Sequence, residues 1–226
     1  MGIRQNVGRR LAPKVTNLSP KLTASLVREA MTRAIDGVGP LPGAAAAADK
    51  QLASADGDQA KAVKEIIESH VRLAGAQGFA TNIGGLAAMA VGAPANIIGL
   101  ALLQCRMIAA IAHLRGYDLA DTRTRNAILV TLLGEEDVKR MVQRGQIPAP
   151  PMALATAPAD DPELGVSLSN SVAQEMIGRV IGKRLASTVS RRVPVVGGVV
   201  GASADGYGTW RLGRYADREL LSRHQR

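Results

Sequence analysis

Residues 73–105 read LAGAQGFATNIGGLAAMAVGAPANIIGLALLQC, and they carry no formal charge between Arg72 and Arg106. Gly92 and Pro94 interrupt this apolar segment near its middle. Proline lacks a backbone N–H and disfavours helical geometry at the residue before it. The pattern therefore predicts two helices that meet at a hinge at Pro94. A single straight helix through residue 94 is not expected, although a kinked one is allowed.

The two expected helices cover residues 76–92 and 95–112. Each would be about 25 Å long, which does not exceed the ~30 Å hydrocarbon thickness of a bilayer. Small residues recur at every fourth position of the first helix, and such a ridge lets a neighbouring helix approach closely. This helix-packing ridge comprises Ala76, Ala80, Gly84, Ala88 and Gly92. Similar series occur at Gly178, Gly182, Ala186 and Ser190 and at Gly198, Ala202 and Gly206.

The composition favours packed helices over a sheet. The chain has 226 residues, of which 46% are hydrophobic, 21% charged and only 2% aromatic. This is too apolar for a disordered chain. A core of small and aliphatic residues needs close backbone approach, so we expect an all-α fold, a compact multi-helix bundle around a central apolar Gly/Ala-rich helical hairpin. A single cysteine, Cys105, excludes an internal disulfide.

Capping residues and breakers place the remaining helices. We expect a helix from Lys21 to Asp36 after Ser19-Pro20, and N-terminal caps at Asp58 and Asp121. Gly116 is expected to end the apolar segment's second helix. Further helices are predicted over 122–133, over 135–144, from Ser167 or Ser169 to Arg191, and from about Gly197 onward. The division predicted is a basic N-terminal helix and small-residue connector over 1–57 and a helical domain over 58–226, with a proline-rich loop at 146–165.

The net charge of +9 is concentrated at the two ends of the sequence. Residues 1–33 carry a net charge of +6 and residues 178–226 one of +7. Such ends favour nucleic acid or anionic lipid as a partner, or they serve only to keep an apolar protein in solution. Residues 1–60 contain no aromatic side chain that could stack on bases, so nucleic acid ranks below the other two.

Polar groups that could carry out a reaction are few. His70, His113 and His224 are far apart, and only His113 has suggestive neighbours, Tyr117 and Asp118. No HExxH, paired cysteine, Walker loop or G-x-S-x-G motif occurs in the sequence. We therefore expect a protein that is not an enzyme, with no cofactor and no metal; an enzyme with an unrecognised site is a remaining alternative.

Two features of the C-terminal region predict sites. Asp205 lies in an apolar, glycine-rich stretch, so we expect a buried acid whose partner is Arg106 or the Arg191-Arg192 pair; the alternative is an Asp205 exposed to solvent. The final helix mixes aromatic and basic residues, as helices at a lipid interface do, although the same aromatics would suit a core. The predicted interfacial residues are Tyr207, Trp210, Arg211, Arg214 and Tyr215.

Three blocks of the sequence together resemble the EcsC protein family, bacterial proteins named for a gene beside an ABC-transporter locus. The blocks are GFATNIGGLAAMAVGAPANIIGLALLQCRMIAAIAHLRGYDL (78–119), AILVTLLG (127–134) and IGKRLASTVSRRVPVVGGVVGASADGYGTWRLGRYADREL (181–220). They cover about forty percent of the chain. The resemblance implies an all-helical, hydrophobic protein linked by name to secretion and membrane transport, and it supplies no catalytic residues.

The main functional hypothesis is a non-enzymatic helical protein that associates with membrane through the 78–112 hairpin and the 193–206 segment. Basic residues would face anionic lipid headgroups. Because residues 1–10 contain no apolar stretch typical of a secretory signal, we expect a cytoplasmic protein at the inner face of the cell membrane. The competing hypothesis is a soluble helical protein-interaction module that binds a protein partner or self-associates as a homo-oligomer.

Overall fold

The computed structural model describes residues 20–38, 41–83, 85–158, 161–189 and 194–223. Within these ranges the chain forms nine α-helices and one pair of two-residue strands. The helices are α1 Pro20–Asp36, α2 Ala44–Ser54, α3 Gln59–Ile83, α4 Gly85–Leu114, α5 Thr122–Thr131, α6 Glu135–Gln143, α7 Pro151–Ala155, α8 Pro162–Val189 and α9 Pro194–Glu219. The all-α helical bundle predicted from the sequence is confirmed.

The N-terminal part of the described chain packs onto the rest of the bundle. Strands β1 (Gly37–Val38) and β2 (Leu41–Pro42) pair antiparallel after α1 and lead into α2. Both α1 and α2 contact α4, and α1 also contacts α8. The predicted division after residue 57 stays a prediction.

Helices α3 and α4 form the antiparallel hairpin that the charge-free segment predicts. Gln59, at the start of α3, donates a side-chain hydrogen bond to the carbonyl of Leu114, at the end of α4. Near the other end, a methyl group built on Gly99 would lie 2.7 Å from the side-chain nitrogen of Gln77. The two contacts run in opposite order along the two helices, so the chain folds back between them.

The chain does not fold back at Pro94, so the prediction that two helices meet at this residue is wrong. Helix α4 runs unbroken through residue 94, and the break falls between Ile83 and Gly85. A proline removes one hydrogen bond from a helix interior but does not end the helix when the surrounding turns are held.

The break also divides the predicted helix-packing ridge. Ala76 and Ala80 belong to α3, Ala88 and Gly92 belong to α4, and Gly84 lies outside the described residues. The five positions therefore do not form one ridge along one helix, because the spacing of four holds only where a helix continues. Ala76 itself is exposed to solvent.

The C-terminal half of α4 is the centre of the core. Residues 107–112 are each at most 2% exposed, which means that this helix is covered on all sides. A helix without a polar face needs neighbours around its whole circumference. Helices α1, α2, α3, α5 and α9 provide them.

Local capping agrees with the sequence at three helix ends. The Asp58 carboxylate accepts a hydrogen bond from the Lys61 N–H at 2.9 Å, and that of Asp121 accepts one from the Arg123 N–H at 2.8 Å. Gly116 follows α4 with φ of 84°, the left-handed conformation that favours glycine. These caps fix the N-termini of α3 and α5 and the C-terminus of α4.

Two later helices begin earlier than predicted, and both begin at a proline. Helix α8 starts at Pro162 because the Asp161 carboxylate accepts from the Glu163 N–H at 3.0 Å, and α9 starts at Pro194. Proline suits the first position of a helix, where its missing N–H has no partner to lose. The predicted proline-rich loop likewise contains a short helix, α7.

Helix α9 lies along α3, and this is the most extensive helix pair of the bundle. Glycines on α9 make the close approach. A methyl group built on Gly206 would lie 3.6 Å from the carbonyl oxygen of Val71 and 4.0 Å from Gly75 Cα. At Gly213 it would lie 2.9 Å from the Ile67 side chain. Gly213 belongs to none of the predicted small-residue series.

Arg115 joins the far ends of these helices. Its Nη1 donates to Gln59 Oε1 at 2.9 Å and its Nη2 donates to Asp217 Oδ1 at 2.5 Å. Its carbonyl accepts from the Arg223 N–H at 2.8 Å. The start of α3, the end of α4 and the end of α9 therefore meet at one point.

Candidate functional site

One face of α9 presents aromatic and basic side chains to solvent. We call it the aromatic–arginine face, and it consists of Tyr207, Trp210, Arg211, Arg214 and Arg218. Tyr207, Trp210, Arg214 and Arg218 follow one another at intervals of three or four, and Arg211 lies four residues after Tyr207, so the five lie on one side of the helix. The Tyr207 and Trp210 rings stack, with centroids 5.9 Å apart and planes inclined by 21°. Tyr207 is 61% exposed and Trp210 46% exposed.

Ion pairs with neighbouring acids position the three arginines. Arg211 Nη2 lies 2.6 Å from Glu136 Oε1, and Arg218 Nη2 lies 2.5 Å from Glu135 Oε2. Arg214 contacts Asp217 on its own helix at 3.7 Å. These pairs are exposed, so each adds little to folding stability. They do offset much of the charge of the face.

The sequence pattern gave no sign that α6 supplies these acids to α9. Their only sequence signal is that Glu135 and Glu136 stand in the first turn of a helix, where acids suit the helix dipole. Lys139 donates a hydrogen bond to Glu135 at 2.7 Å. This bond, together with the charge of Arg218, holds the pKa of Glu135 below its ordinary value.

Tyr215 does not share the exposed face with the other predicted interfacial residues. It is only 5% exposed, and it belongs to the core cluster. Burial, together with the nearby carboxylates of Glu219 and Glu135, raises the pKa of its hydroxyl. Tyr215 is thus a core residue, which agrees with the alternative prediction that aromatics of the final helix lie in the core.

The aromatic pair, Tyr207 and Trp210, lies beside the part of α3 that contains Leu73. Because Gly206 packs against Val71 and Gly75, Leu73 of α3 lies at the level of Tyr207. Leu73 is 54% exposed and follows the exposed Arg72. No pattern in the sequence singles out Leu73.

Formal charges are nearly absent from three helices beyond this level. Residues 73–83 of α3, residues 85–105 of α4 and residues 194–204 of α9 contain none. The next residue of α9, Asp205, is 9% exposed. The aromatic pair therefore stands where α9 changes from an arginine-bearing half to an uncharged half. Among the described residues, no helix has both the length and the hydropathy that a membrane crossing requires.

Asp205 and Arg106 were predicted as a buried acid and its partner. The structure buries Asp205, and Asp205 has an interaction partner. The pairing with Arg106 stays a prediction. Arg106 is half-buried, and burial lowers its pKa. The other predicted partners of Asp205, Arg191 and Arg192, lie outside the described residues.

The histidines of the described chain have structural partners. His113 Nε2 lies 2.7 Å from Asp49 Oδ1 and so links α4 to α2, whereas the Tyr117 hydroxyl donates to the Leu221 carbonyl at 3.0 Å. His70 is buried, and its Nδ1 lies 2.7 Å from the Ile66 carbonyl oxygen. Burial lowers the pKa of His70, and the charge of Arg106 lowers it further. In the described ranges no three His, Cys, Asp or Glu side chains are grouped so that they could hold a metal ion.

Comparison with known proteins identifies the family. A family model described as the EcsC protein family matches residues 4–224, which is nearly the whole chain and includes most of the N-terminal segment that the three sequence blocks omit. No curated protein and no solved structure shows significant similarity to the chain. On the strength of the family match, the chain belongs to the EcsC protein family.

Proposed function

We propose that this EcsC-family chain is a non-enzymatic helical protein that binds a membrane surface, with the uncharged ends of α3, α4 and α9 dipping into one leaflet. Tyr207 and Trp210 would lie at the boundary between headgroups and acyl chains, and arginines would face the headgroups. The family name suggests transport or secretion as the setting. The observation that carries the proposal is the exposed Tyr207–Trp210 stack at the point where the charge along α9 ends.

The chemistry of the aromatic pair supports this choice. Tyrosine and tryptophan are enriched at membrane–water interfaces because their rings are apolar and their edges are polar. An exposed pair of large aromatic rings costs hydrophobic free energy in water. Together they leave roughly 200 Å² of ring surface in contact with water, and removal of that surface would contribute up to about 5 kcal/mol.

The dimensions also fit one leaflet. At about 1.5 Å per residue, the uncharged end of α3 after Arg72 extends roughly 16 Å. Half of a ~30 Å hydrocarbon layer is about 15 Å. Insertion to this depth would leave Arg72 and the arginines of α9 on the headgroup side.

Electrostatic attraction adds a smaller contribution. Glu135, Glu136 and Asp217 offset Arg211, Arg214 and Arg218, so the local charge of the aromatic–arginine face is small. The net charge of +9 on the whole chain still favours an anionic surface. We therefore expect binding to neutral vesicles that anionic lipid strengthens.

Trp210 makes the proposal directly testable, because it is the only tryptophan of the chain. Its fluorescence is measured on titration with phosphatidylcholine vesicles, without and with phosphatidylglycerol. We expect a blue shift and protection from acrylamide quenching, both larger with phosphatidylglycerol. An unchanged spectrum at saturating lipid, with no co-sedimentation, would refute the proposal.

Variants that keep this reporter locate the contact. Tyr207→Ser should weaken vesicle binding about tenfold, given that half of its ring surface is worth about 1.5 kcal/mol. Val166→Ser is the matched control, since Val166 is 53% exposed on α8. Equal loss in both variants would count against α9 as the contact.

Two double variants, each of which removes two arginines, test whether the arginines of the aromatic–arginine face contribute to binding. The double variant Arg211→Gln/Arg214→Gln should weaken binding to anionic vesicles by at most about fivefold per arginine. Arg28→Gln/Arg33→Gln removes the same net charge from α1 and should have the smaller effect.

The competing function is self-association through the same aromatic pair, because an exposed apolar patch also suits a protein interface. Light scattering at several protein concentrations separates the two. A dimer in which Trp210 is shielded from acrylamide without lipid, and which Tyr207→Ser dissociates, would favour self-association over membrane binding.

A further inference from the structure

A groove lies between α6 and α9 on the side of Tyr215, distinct from the aromatic–arginine face. Its volume is about 350 Å³, within the lower part of the range for small-molecule sites, roughly 300–1,000 Å³. Apolar side chains form one part of its lining, and polar side chains form the other. The apolar residues are Val138, Val142 and Pro150, and the polar ones are Glu135, Lys139, Gln143, Tyr215 and Glu219.

Tyr215 brings an unmatched polar group into this groove. The residue is 95% buried, but its hydroxyl oxygen, which makes no hydrogen bond within the described chain, is not enclosed: among the described residues, the buried side-chain atom without a partner is Arg115 Nε. The Tyr215 hydroxyl therefore opens on the groove. The groove is the side from which a ligand atom can reach it.

Glu219 brings an unmatched charge. It has no ion pair among the described residues, and its Oε1 accepts only a long hydrogen bond of 3.3 Å from the Met152 N–H. Glu135, on the opposite wall, is already neutralised by Lys139 and Arg218. Glu219 is therefore the carboxylate of the groove lining that has no cation partner among the described residues.

These groups select one class of ligand. The Glu219 carboxylate repels an anion. A divalent cation takes six or more oxygen ligands, and two of the lining oxygens, those of Glu135, already bind Lys139 and Arg218. A primary ammonium has three N–H donors and one charge, so it can donate to the Tyr215 and Glu219 oxygens together. An alkyl chain attached to it can lie against Val138, Val142 and Pro150.

We propose that the groove binds the primary ammonium group of a small organic amine, with Glu219 as the counter-ion and the Tyr215 hydroxyl as a hydrogen-bond acceptor. The inference does not rest on the proposed membrane function, because it uses a different surface.

The test uses n-butylamine, which is protonated at pH 7, with butyrate and n-butanol as probes of equal chain length. Isothermal titration calorimetry with the full chain should give saturable binding of butylamine with Kd of about 1 mM, the range expected for so small a ligand. Butyrate and butanol should not bind. Equal binding of butanol, or no saturable binding of butylamine, would overturn the proposal.

Two conservative variants assign the roles. Glu219→Gln keeps an acceptor for the Met152 N–H but loses the charge, and it should weaken butylamine binding at least about tenfold. Tyr215→Phe keeps the buried ring and should weaken it by about three- to tenfold. Glu163→Gln, on an exposed acid of α8, is the matched control and should change nothing. Unchanged affinity in both groove variants, with native circular dichroism, would refute the site.

A free amine and an amine-bearing lipid headgroup present the same ammonium. Vesicles of phosphatidylcholine, with and without phosphatidylethanolamine, separate the two sources. Displacement of butylamine only by the phosphatidylethanolamine vesicles would assign a lipid amine, whereas undiminished butylamine binding with both would assign a free amine.

Discussion

The close approach of α9 to α3 and α4 predicts opposite effects for the same substitution at two glycines of one helix. A methyl group at Gly213 would lie 2.9 Å from both Cγ1 and Cγ2 of Ile67 and 3.1 Å from Met107 Sδ. A methyl group at Gly208 would meet nothing within 4 Å. We compare Gly213→Ala with Gly208→Ala.

The magnitude follows from two contributions. Alanine is more favourable than glycine in a helix interior by about 1 kcal/mol, and this gain applies to both variants. Ile67 is 3% exposed and Met107 is fully buried, so neither can move aside freely. Overpacking of such a core costs about 1–3 kcal/mol. Gly208→Ala should therefore stabilise the protein, and Gly213→Ala should be less stable than Gly208→Ala by about 1–3 kcal/mol.

Thermal unfolding followed by far-UV circular dichroism measures this difference. For a chain of this size, 1 kcal/mol shifts Tm by about 2–4 °C, so the two variants should differ by roughly 2–12 °C. Urea unfolding at one temperature is the independent check. If Gly213→Ala raises Tm as much as Gly208→Ala does, α9 does not pack against Ile67 as described, and the argument for its register fails.

Three further predictions concern buried or capping groups. Burial raises the pKa of the Cys105 thiol to about 12, so iodoacetamide should label it in urea but not in native buffer at pH 8, as followed by mass spectrometry; rapid native labelling would contradict its burial. Asp121→Ala removes the α5 cap and should cost about 0.5–2 kcal/mol in urea unfolding at pH 7. Hydrogen bonds from Arg123 lower the pKa of Asp121, so the Asp121 carboxylate stabilises the fold above the ordinary pKa of 3.8, and this stabilisation is lost as the pH falls further. If Asp121→Ala cost as much stability in acid as at pH 7, this explanation would be contradicted. The pKa of His70 is lowered from 6.5, so the unfolded chain takes up its proton first and stability should fall as pH drops below 6.5, whereas His70→Gln should flatten this pH dependence of urea midpoints.

Local rules in the sequence located helix ends well. Asp58, Asp121 and Gly116 cap helices where residue chemistry requires it, because a cap depends on only a few neighbouring backbone groups. The same locality explains the errors. Pro94 meets the usual criteria for a helix end, but neighbouring turns can hold a helix that a proline alone would weaken.

Contacts between helices were the part that the sequence could not supply. Spacing placed Tyr207, Trp210 and Tyr215 on one helix, but only the packing of α9 in the bundle decides that Tyr215 is buried while the other two are exposed. Likewise, the small-residue series included Gly206 but not Gly213, although both approach α3. Glu219 belongs to no sequence motif. It lines a groove only because the fold brings its end of α9 close to residues of α6.

The pairing of α9 with α3 has a consequence for synthesis on the ribosome. Pro194, the first residue of α9, follows Ile83, the last of α3, by about 110 residues, which take roughly 5–20 s to translate. Throughout that interval α9 cannot cover the surface of α3 on which it will pack. The nascent chain thus shows more apolar surface than the finished one, and truncation before α9 should yield an aggregation-prone product.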